Sequence, residues 1–405
     1  MTAHEEIKAM NEYSMGSPRA EQLLQAARDL QPVLRERAEL CKQLRRVPDE
    51  TFADFQAAGF FKVLQAEQYG GYAMDPQVFY AVGLELAKAC MSSAWVLGVV
   101  AVHNWQLALF DDQAAQDVWG DDPTTLLSSS YAPVGKVKLV EGGFRLSGRW
   151  SFSSGSEHCK WVFLGAVVPT EEAPFDMANY RTFLLPIEDY EIVDNWDVVG
   201  LQGTGSHDIV VEDAFVPEYR THKVIDAFNC DNPGNAVNTA PLFRIPFMQV
   251  FVRAVCTASL GALEGSLDAY VEVAKTRVAG PVPMRDDPNA KMLAAEVKAE
   301  IEQMKLVMYR NFDNMLDCAR AGEPIPIEDR IRYRYDSAIV ADRCLELSGR
   351  MLKAVGSGGI RNGSEVLARH LDILASQAHV ANHSTPFAVN MGGVLLGQDN
   401  ADFGL

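Results

Sequence analysis

Six residues, Trp150-Ser151-Phe152-Ser153-Ser154-Gly155, close a run rich in β-branched and aromatic side chains. Small hydroxyls beside aromatic rings at a strand end suit a flat heteroaromatic molecule. The rings pack on its face, while hydroxyls and backbone N–H groups reach its polar edge. The same residues also fit an ordinary strand terminus. Ser128-Ser129-Ser130-Tyr131 has the same character and fits a Ser-rich turn as well. Two histidines, His103 and His379, lie in apolar helical surroundings. A histidine there is ordinarily a hydrogen-bonded core residue. Where two such helices converge on one pocket, it becomes a group for acid–base chemistry near neutral pH.

Other chemistries are poorly supported. His379 and His383 are four residues apart and could face one way on a helix, as metal ligands do. No carboxylate or cysteine stands at ligand spacing beside them and no H-E-x-x-H occurs, so no metal is expected. No G-x-G-x-x-G joins a strand to a helix, and there is no Walker-type loop. The nearest stretch, Gly200-Leu201-Gln202-Gly203-Thr204-Gly205, lies between two strands and predicts a tight turn. A formal charge of -18 spread along 405 residues repels phosphate backbones and argues against a nucleic-acid role. The cysteines, at 41, 90, 159, 230, 256, 318 and 344, are dispersed. That pattern fits reduced thiols in a cytoplasm better than a disulfide framework. The opening MTAHEEIKAMNEYS lacks the basic-then-apolar order of a signal peptide.

Three zones must position these residues. Up to about residue 110 the pattern is helical, with one helix near 20–45. Cys90 to Phe110 has no formal charge and is about long enough to span a bilayer. It carries Ser92, Ser93, His103, Asn104 and Gln106 and lacks basic anchors at both ends, Lys88 being the one near it, so it reads as a buried core helix and no membrane is expected. From about 123 to 222 short β-type runs alternate with turns, including a hairpin at Gly142-Gly143, and predict an antiparallel sheet or barrel. After a polar loop over 229–246 the helical period returns, with helices near 250–277, 289–322, 329–354 and 363–393. The expected domains are 1–122 (helical), 123–228 (β-barrel-like) and 229–405 (helical bundle). Hydrophobic residues at 48% and charged residues at 22% are ordinary for a globular chain.

The helix–sheet–helix order, the WSFSSG strand end and LQGTGSHDIVVEDAFVP resemble the acyl-CoA dehydrogenase superfamily. GRWSFSSGSEHCKWVFLGAVV is similar to its flavin-dependent monooxygenases. These include the oxygenase components of two-component phenol hydroxylases such as the secosteroid phenol hydroxylase and 4-hydroxyphenylacetate 3-hydroxylase. The resemblance implies an α+β fold: an N-terminal helical domain, a central antiparallel β-domain and a C-terminal four-helix bundle. It implies an aromatic hydroxylase that uses reduced FMN or FAD and O2 through a C4a-hydroperoxyflavin. A separate NAD(P)H flavin reductase supplies that flavin, and the assembly is a homotetramer.

Residue by residue, the resemblance places Ser154 against flavin N5, with Phe152 and Ser153 lining the ring and Ser128, Ser129 and Ser130 on its other side. Arg277 would reach a neighbouring subunit's flavin phosphate, where Gly358 and Gly359 let backbone approach. His103 stands where relatives place a base near the substrate hydroxyl, and His379 where they place a histidine near the oxygen adduct. A phenol of pKa ~10 facing a histidine of ~6.5 makes complete proton transfer uphill by about 5 kcal/mol. Dehydrogenases of the superfamily use a late glutamate as base. Here the stretch reads HLDILASQAHVANHS, with Asp372 its one carboxylate. The alternative, an acyl-CoA dehydrogenase-like FAD oxidoreductase, would depend on that residue.

Overall fold

The computed structural model describes residues 13–170, 175–278, 282–402 and 404–405. Residues 1–12, which hold most of the segment without signal-peptide order, lie outside them. Among the described residues five α-helices come first: α1 (Pro18–Leu44), α2 (Asp49–Ala57), α3 (Pro76–Ala87), α4 (Met91–Leu107) and α5 (Asp112–Trp119). α1 starts where the Ser17 hydroxyl accepts the Ala20 N–H and Pro18 takes the first helical position, where its missing N–H has no partner to lose. α4 is the uncharged run, and every one of its residues is buried. Its neighbours cover it on all sides, as a core helix requires.

Seven strands follow: β1 (Leu127–Val140), β2 (Gly143–Ser153), β3 (Trp161–Val167), β4 (Tyr180–Pro186), β5 (Glu191–Val193), β6 (His207–Pro217) and β7 (Thr221–Lys223). Their hydrogen-bonded order is β5-β6-β2-β1-β3-β4-β7. Gly142, at φ 79°, turns the β1–β2 hairpin. One pairing departs from the antiparallel expectation, because β1 and β3 run parallel. Ser128–Tyr131 and Lys136–Val140 are a single strand. Its first part pairs with β3 and, past an irregularity between Ser130 and Gly135, its last part pairs with β2. A Cβ at Gly135 would lie 2.7 Å from the Trp150 ring and from the Ala166 methyl, so only glycine lets Trp150 pack across that switch.

α6 (Val224–Asn229) leads into the segment 229–246, which holds two 3-10 turns. The bundle comprises α7 (Phe247–Thr276), α8 (Pro288–Ala321), α9 (Ile327–Val355), α10 (Glu365–Gln377) and α11 (Ser384–Leu395). α7 is long and apolar enough to cross a membrane, but that window is wholly buried in the fold. The single helix expected over 363–393 is broken at 378–383. There the Asn382 amide donates to the carbonyls of Val255 and Ser376, at 2.9 and 2.8 Å, and Arg334 donates to the Ala381 carbonyl at 2.9 Å. These bonds stabilise the interruption by occupying side chains and carbonyls that a continuous helix would leave unmatched. His379 and His383 therefore cap two separate elements instead of sharing one helix face.

Candidate active site

Trp95 and His103 stand eight residues apart on α4, about 12 Å along its axis. The Trp95 Nε1–H donates to Ser154 Oγ at 3.2 Å, and its ring meets the His379 ring edge-on with centroids 5.9 Å apart. The end of β2 and the break after α10 thus meet on one indole. His103 donates from Nδ1 to the Leu127 carbonyl at 2.8 Å, and its ring lies edge-on to Tyr131 and Phe163.

Those partners assign opposite tautomers to the two histidines. A carbonyl can only accept, so the His103 proton sits on Nδ1 and Nε2 is bare, buried and without a partner. Burial pushes its pKa down to about 4, against the pull of the Leu127 carbonyl. His379 Nδ1 instead accepts the Ala381 N–H at 3.1 Å, which leaves the proton on Nε2. Burial, and after it the Arg334 guanidinium, pushes His379 down to about 4. Both rings are neutral at physiological pH, one presenting an acceptor and the other a donor.

The serine tips lie beside this pair. Ser130 donates to the Ser151 carbonyl at 2.7 Å and so ties β1 to β2. Ser154 Oγ is 2.7 Å from Ser206 Oγ, which is 2.7 Å from Thr204 Oγ1. Ser128 Oγ and Ser153 Oγ are buried without a partner, while Ser129 is half-buried. Phe152 has φ 68° and is 70% exposed, with the Trp196 ring perpendicular to it at 6.2 Å between centroids. A non-glycine residue there carries strain of roughly 1 kcal/mol or more. An unpaired buried polar atom costs about 1–3 kcal/mol. A flat ligand with a polar edge would cover the ring and satisfy the hydroxyls, and the residues present therefore fit a flavin.

Arg277 caps α7 and lies within 3.1–3.3 Å of where a Cβ on Gly356 or Gly358 would stand. Arg277 and Gly358 line a groove of about 890 Å³ with Arg35, Lys88, Arg361 and Arg369. Gly359 is buried and packs on Leu352 and Val355 instead. No lining residue of that groove belongs to the Trp95 cluster within one chain. Asp372 accepts the Leu201 N–H at 2.7 Å and is pushed up to about 6 by burial. It supports the turn at Leu201, where φ is 53°. Trp95, Thr204, Ser206 and Arg334 escaped the sequence reading. The one available signal for Thr204 and Ser206 was that their turn leads into the strand that pairs with the WSFSSG end.

Residues 17–119 match the family model for the acyl-CoA dehydrogenase N-terminal domain, and residues 254–384 match that for its C-terminal domain. The chain is 39% identical over 356 residues to the oxygenase subunit HsaA of a flavin-dependent monooxygenase from Rhodococcus jostii (strain RHA1), covering 87% of this chain and 92% of that protein. It is 29% identical over 380 residues to the oxygenase component of the FADH(2)-dependent resorcinol hydroxylase of Rhizobium sp. (strain MTP-10005), covering 90% and 91% of the two chains. The crystal structure of 3-HSA hydroxylase from Rhodococcus sp. RHA1 matches with a TM-score of 0.91 at 37% identity, over 95% of this chain and 99% of that one.

Two outcomes follow for the buried titratable groups. His103 titrates near 6.5 when unfolded and at about 4 when folded. Its contribution is intact above the unfolded value and is lost as pH falls from 6.5 toward 4, by about 3 kcal/mol over the window. Urea midpoints of wild type should drop over that range more steeply than those of His103→Gln, and parallel slopes would contradict the buried neutral ring. Asp372→Asn should keep both fold and oxygenation, whereas Asp372→Ala should lose about 1–3 kcal/mol in urea unfolding. An inactive but folded Asp372→Asn would restore Asp372 as a base.

Proposed function

The chain belongs to the flavin-dependent monooxygenases of the acyl-CoA dehydrogenase family, as an aromatic hydroxylase of the two-component kind, and from that premise we propose that Ser154, His103 and His379 bracket a reduced flavin and a phenolic substrate. The observation that carries this reading is the pair of neutral histidines of opposite tautomer, His103 on α4 and His379 against Trp95 of the same helix. Reduced FMN or FAD from a separate NAD(P)H reductase supplies two electrons to O2, so that one oxygen atom enters the ring and the other leaves as water.

The chain's own residues do the rest. His379 offers Nε2–H as a hydrogen-bond donor toward oxygen, and its neutrality adds no acid that would discharge the site as peroxide. His103 offers Nε2 as acceptor to the phenol hydroxyl. With the ring at about 4 and a phenol near ~10, complete proton transfer at rest is uphill by about 8 kcal/mol, more than an ordinary histidine would require. The proton therefore moves only as the aromatic ring gives up electrons and its hydroxyl becomes acidic. Ser128, Ser129, Ser130, Phe152 and Ser153 line the flavin ring, and the buried, uncharged α4 excludes water.

A homotetramer is supported by α11, which buries no residue and leaves Val389 68% exposed, with Leu395 and Leu396 at 76% and 86%. Such faces ordinarily meet another surface. The groove holding Arg277 and Gly358 would then take a neighbour's flavin phosphate. All seven cysteines are free thiols, which supports a cytoplasmic setting.

The test is NAD(P)H-driven oxygen consumption with an added flavin reductase over a panel of phenols, following hydroxylated product and H2O2 together. His103→Ala should bind flavin normally, yet its product per flavin oxidised should fall on the order of tenfold or more, with H2O2 rising in its place. Wild-type hydroxylation by that variant would remove the role of His103, and no phenol turned over by wild type would remove the substrate class.

A further inference from the structure

Ser154 has a single hydroxyl hydrogen, and its neighbours decide where that hydrogen points. Thr204 Oγ1 lies 3.0 Å from the Leu201 carbonyl. A carbonyl cannot donate, so Thr204 does. Thr204 must then accept in its 2.7 Å contact with Ser206, which uses the Ser206 hydrogen. Ser206 must in turn accept from Ser154, again at 2.7 Å. At the other end stands the Trp95 indole, a donor only, 3.2 Å from Ser154 Oγ.

Three hydroxyls are thus strung between an obligate donor and an obligate acceptor, and the row has one direction. The Ser154 hydrogen is committed to Ser206, and what Ser154 has left for a ligand is a lone pair. Trp95, Ser154, Ser206 and Thr204 are all buried, so bulk water does not compete for these positions. The turn is sewn down independently: Gly155 N–H donates to the Thr204 carbonyl at 2.9 Å, and the Trp196 indole also donates to the Leu201 carbonyl, at 3.1 Å.

We propose that Thr204 and Ser206 are positioning residues that hold Ser154 as a hydrogen-bond acceptor, and thereby make the site select reduced over oxidised flavin. The inference rests on the proposed placement of Ser154 beside the flavin, with N5 as the atom the family resemblance sets against it. N5 of a reduced flavin carries a hydrogen and donates to the waiting lone pair. N5 of an oxidised flavin has a lone pair of its own, and two facing lone pairs repel while both lose water. A serine free to rotate would serve either state and discriminate little. In a two-component enzyme the flavin arrives reduced and departs oxidised, so the fixed direction favours loading and release in the productive order.

The experiment compares dissociation constants for reduced flavin, measured anaerobically by fluorescence, with those for oxidised flavin, using the full chain. Ser206→Ala frees the Ser154 hydrogen, and Thr204→Val removes the acceptor that orients Ser206. Each should tighten oxidised-flavin binding about tenfold and leave reduced-flavin binding near wild type. Thr204→Ser, which keeps the hydroxyl, should retain the wild-type ratio. A gain of affinity is not what damage to the fold produces, and thermal unfolding of each variant checks that the chain is folded. If Ser154→Ala changes flavin affinity but neither Ser206→Ala nor Thr204→Val alters the ratio, the directional row is wrong while the site stands. If Ser154→Ala changes neither affinity, Ser154 is not at N5 and the site assignment falls with this inference.

Discussion

The rest of the site depends on one constraint: α4 is buried along its whole length yet carries polar side chains that must find partners inside the protein. Asn104 donates to the Phe61 carbonyl at 2.9 Å and Trp105 to the Leu242 carbonyl at 3.1 Å. Ser92 accepts the Gly203 N–H at 3.3 Å, and Gln106 takes the Tyr131 hydroxyl. Trp95 and His103 add Ser154 and Leu127. The partners lie in the N-terminal helices, the β-domain and the segment leading into the bundle. Leaving one such group unpaired costs about 1–3 kcal/mol, so turning or sliding α4 would break a set comparable with a domain's net stability of about 5–15 kcal/mol. The helix fixes the relation of the three zones and, with it, the relation of their functional side chains.

The same burial sets the chemistry. A dry, uncharged helix cannot hold a protonated imidazole cheaply, so both histidines that touch it are neutral and each keeps the tautomer its backbone partner demands. Desolvation keeps both rings neutral, and the backbone partners make one a donor and the other an acceptor. Arg334 reinforces this on the His379 side. It holds the Ala381 carbonyl and lies over the Phe387 ring at 3.4 Å, and its charge opposes a second cation beside it.

Features that depend on local pattern were legible in the sequence. The helix–sheet–helix order, the Gly142 hairpin, the tight turn after Gly200 and the core placement of α4 all follow from apolar periodicity and turn residues. What long-range hydrogen bonds decide was not legible. Nothing local announces that β1 changes partner near Gly135, or that Asn382 finds the Val255 carbonyl and helps to interrupt the last helix. Gly359, which the resemblance set with Gly358 beside a phosphate, packs inward on Leu352. Thr204 and Ser206 passed as turn residues because turns use the same small hydroxyls for their own backbone. Only three dimensions reveal that their hydrogens run toward Ser154.

The interruption at 378–383 also bears on why this frame supports oxygenation. The superfamily resemblance implies a late glutamate base in the dehydrogenases. In this chain the one carboxylate of that stretch, Asp372, is occupied with the Leu201 N–H, and the residue brought against Trp95 is a histidine. An ionised carboxylate in that position would depend on the Arg334 guanidinium or on water to offset its desolvation. A neutral imidazole that donates one hydrogen bond meets the positional demand and adds no charge. The break in the helix and the burial of α4 thus bring a neutral imidazole, not a charge, against Trp95.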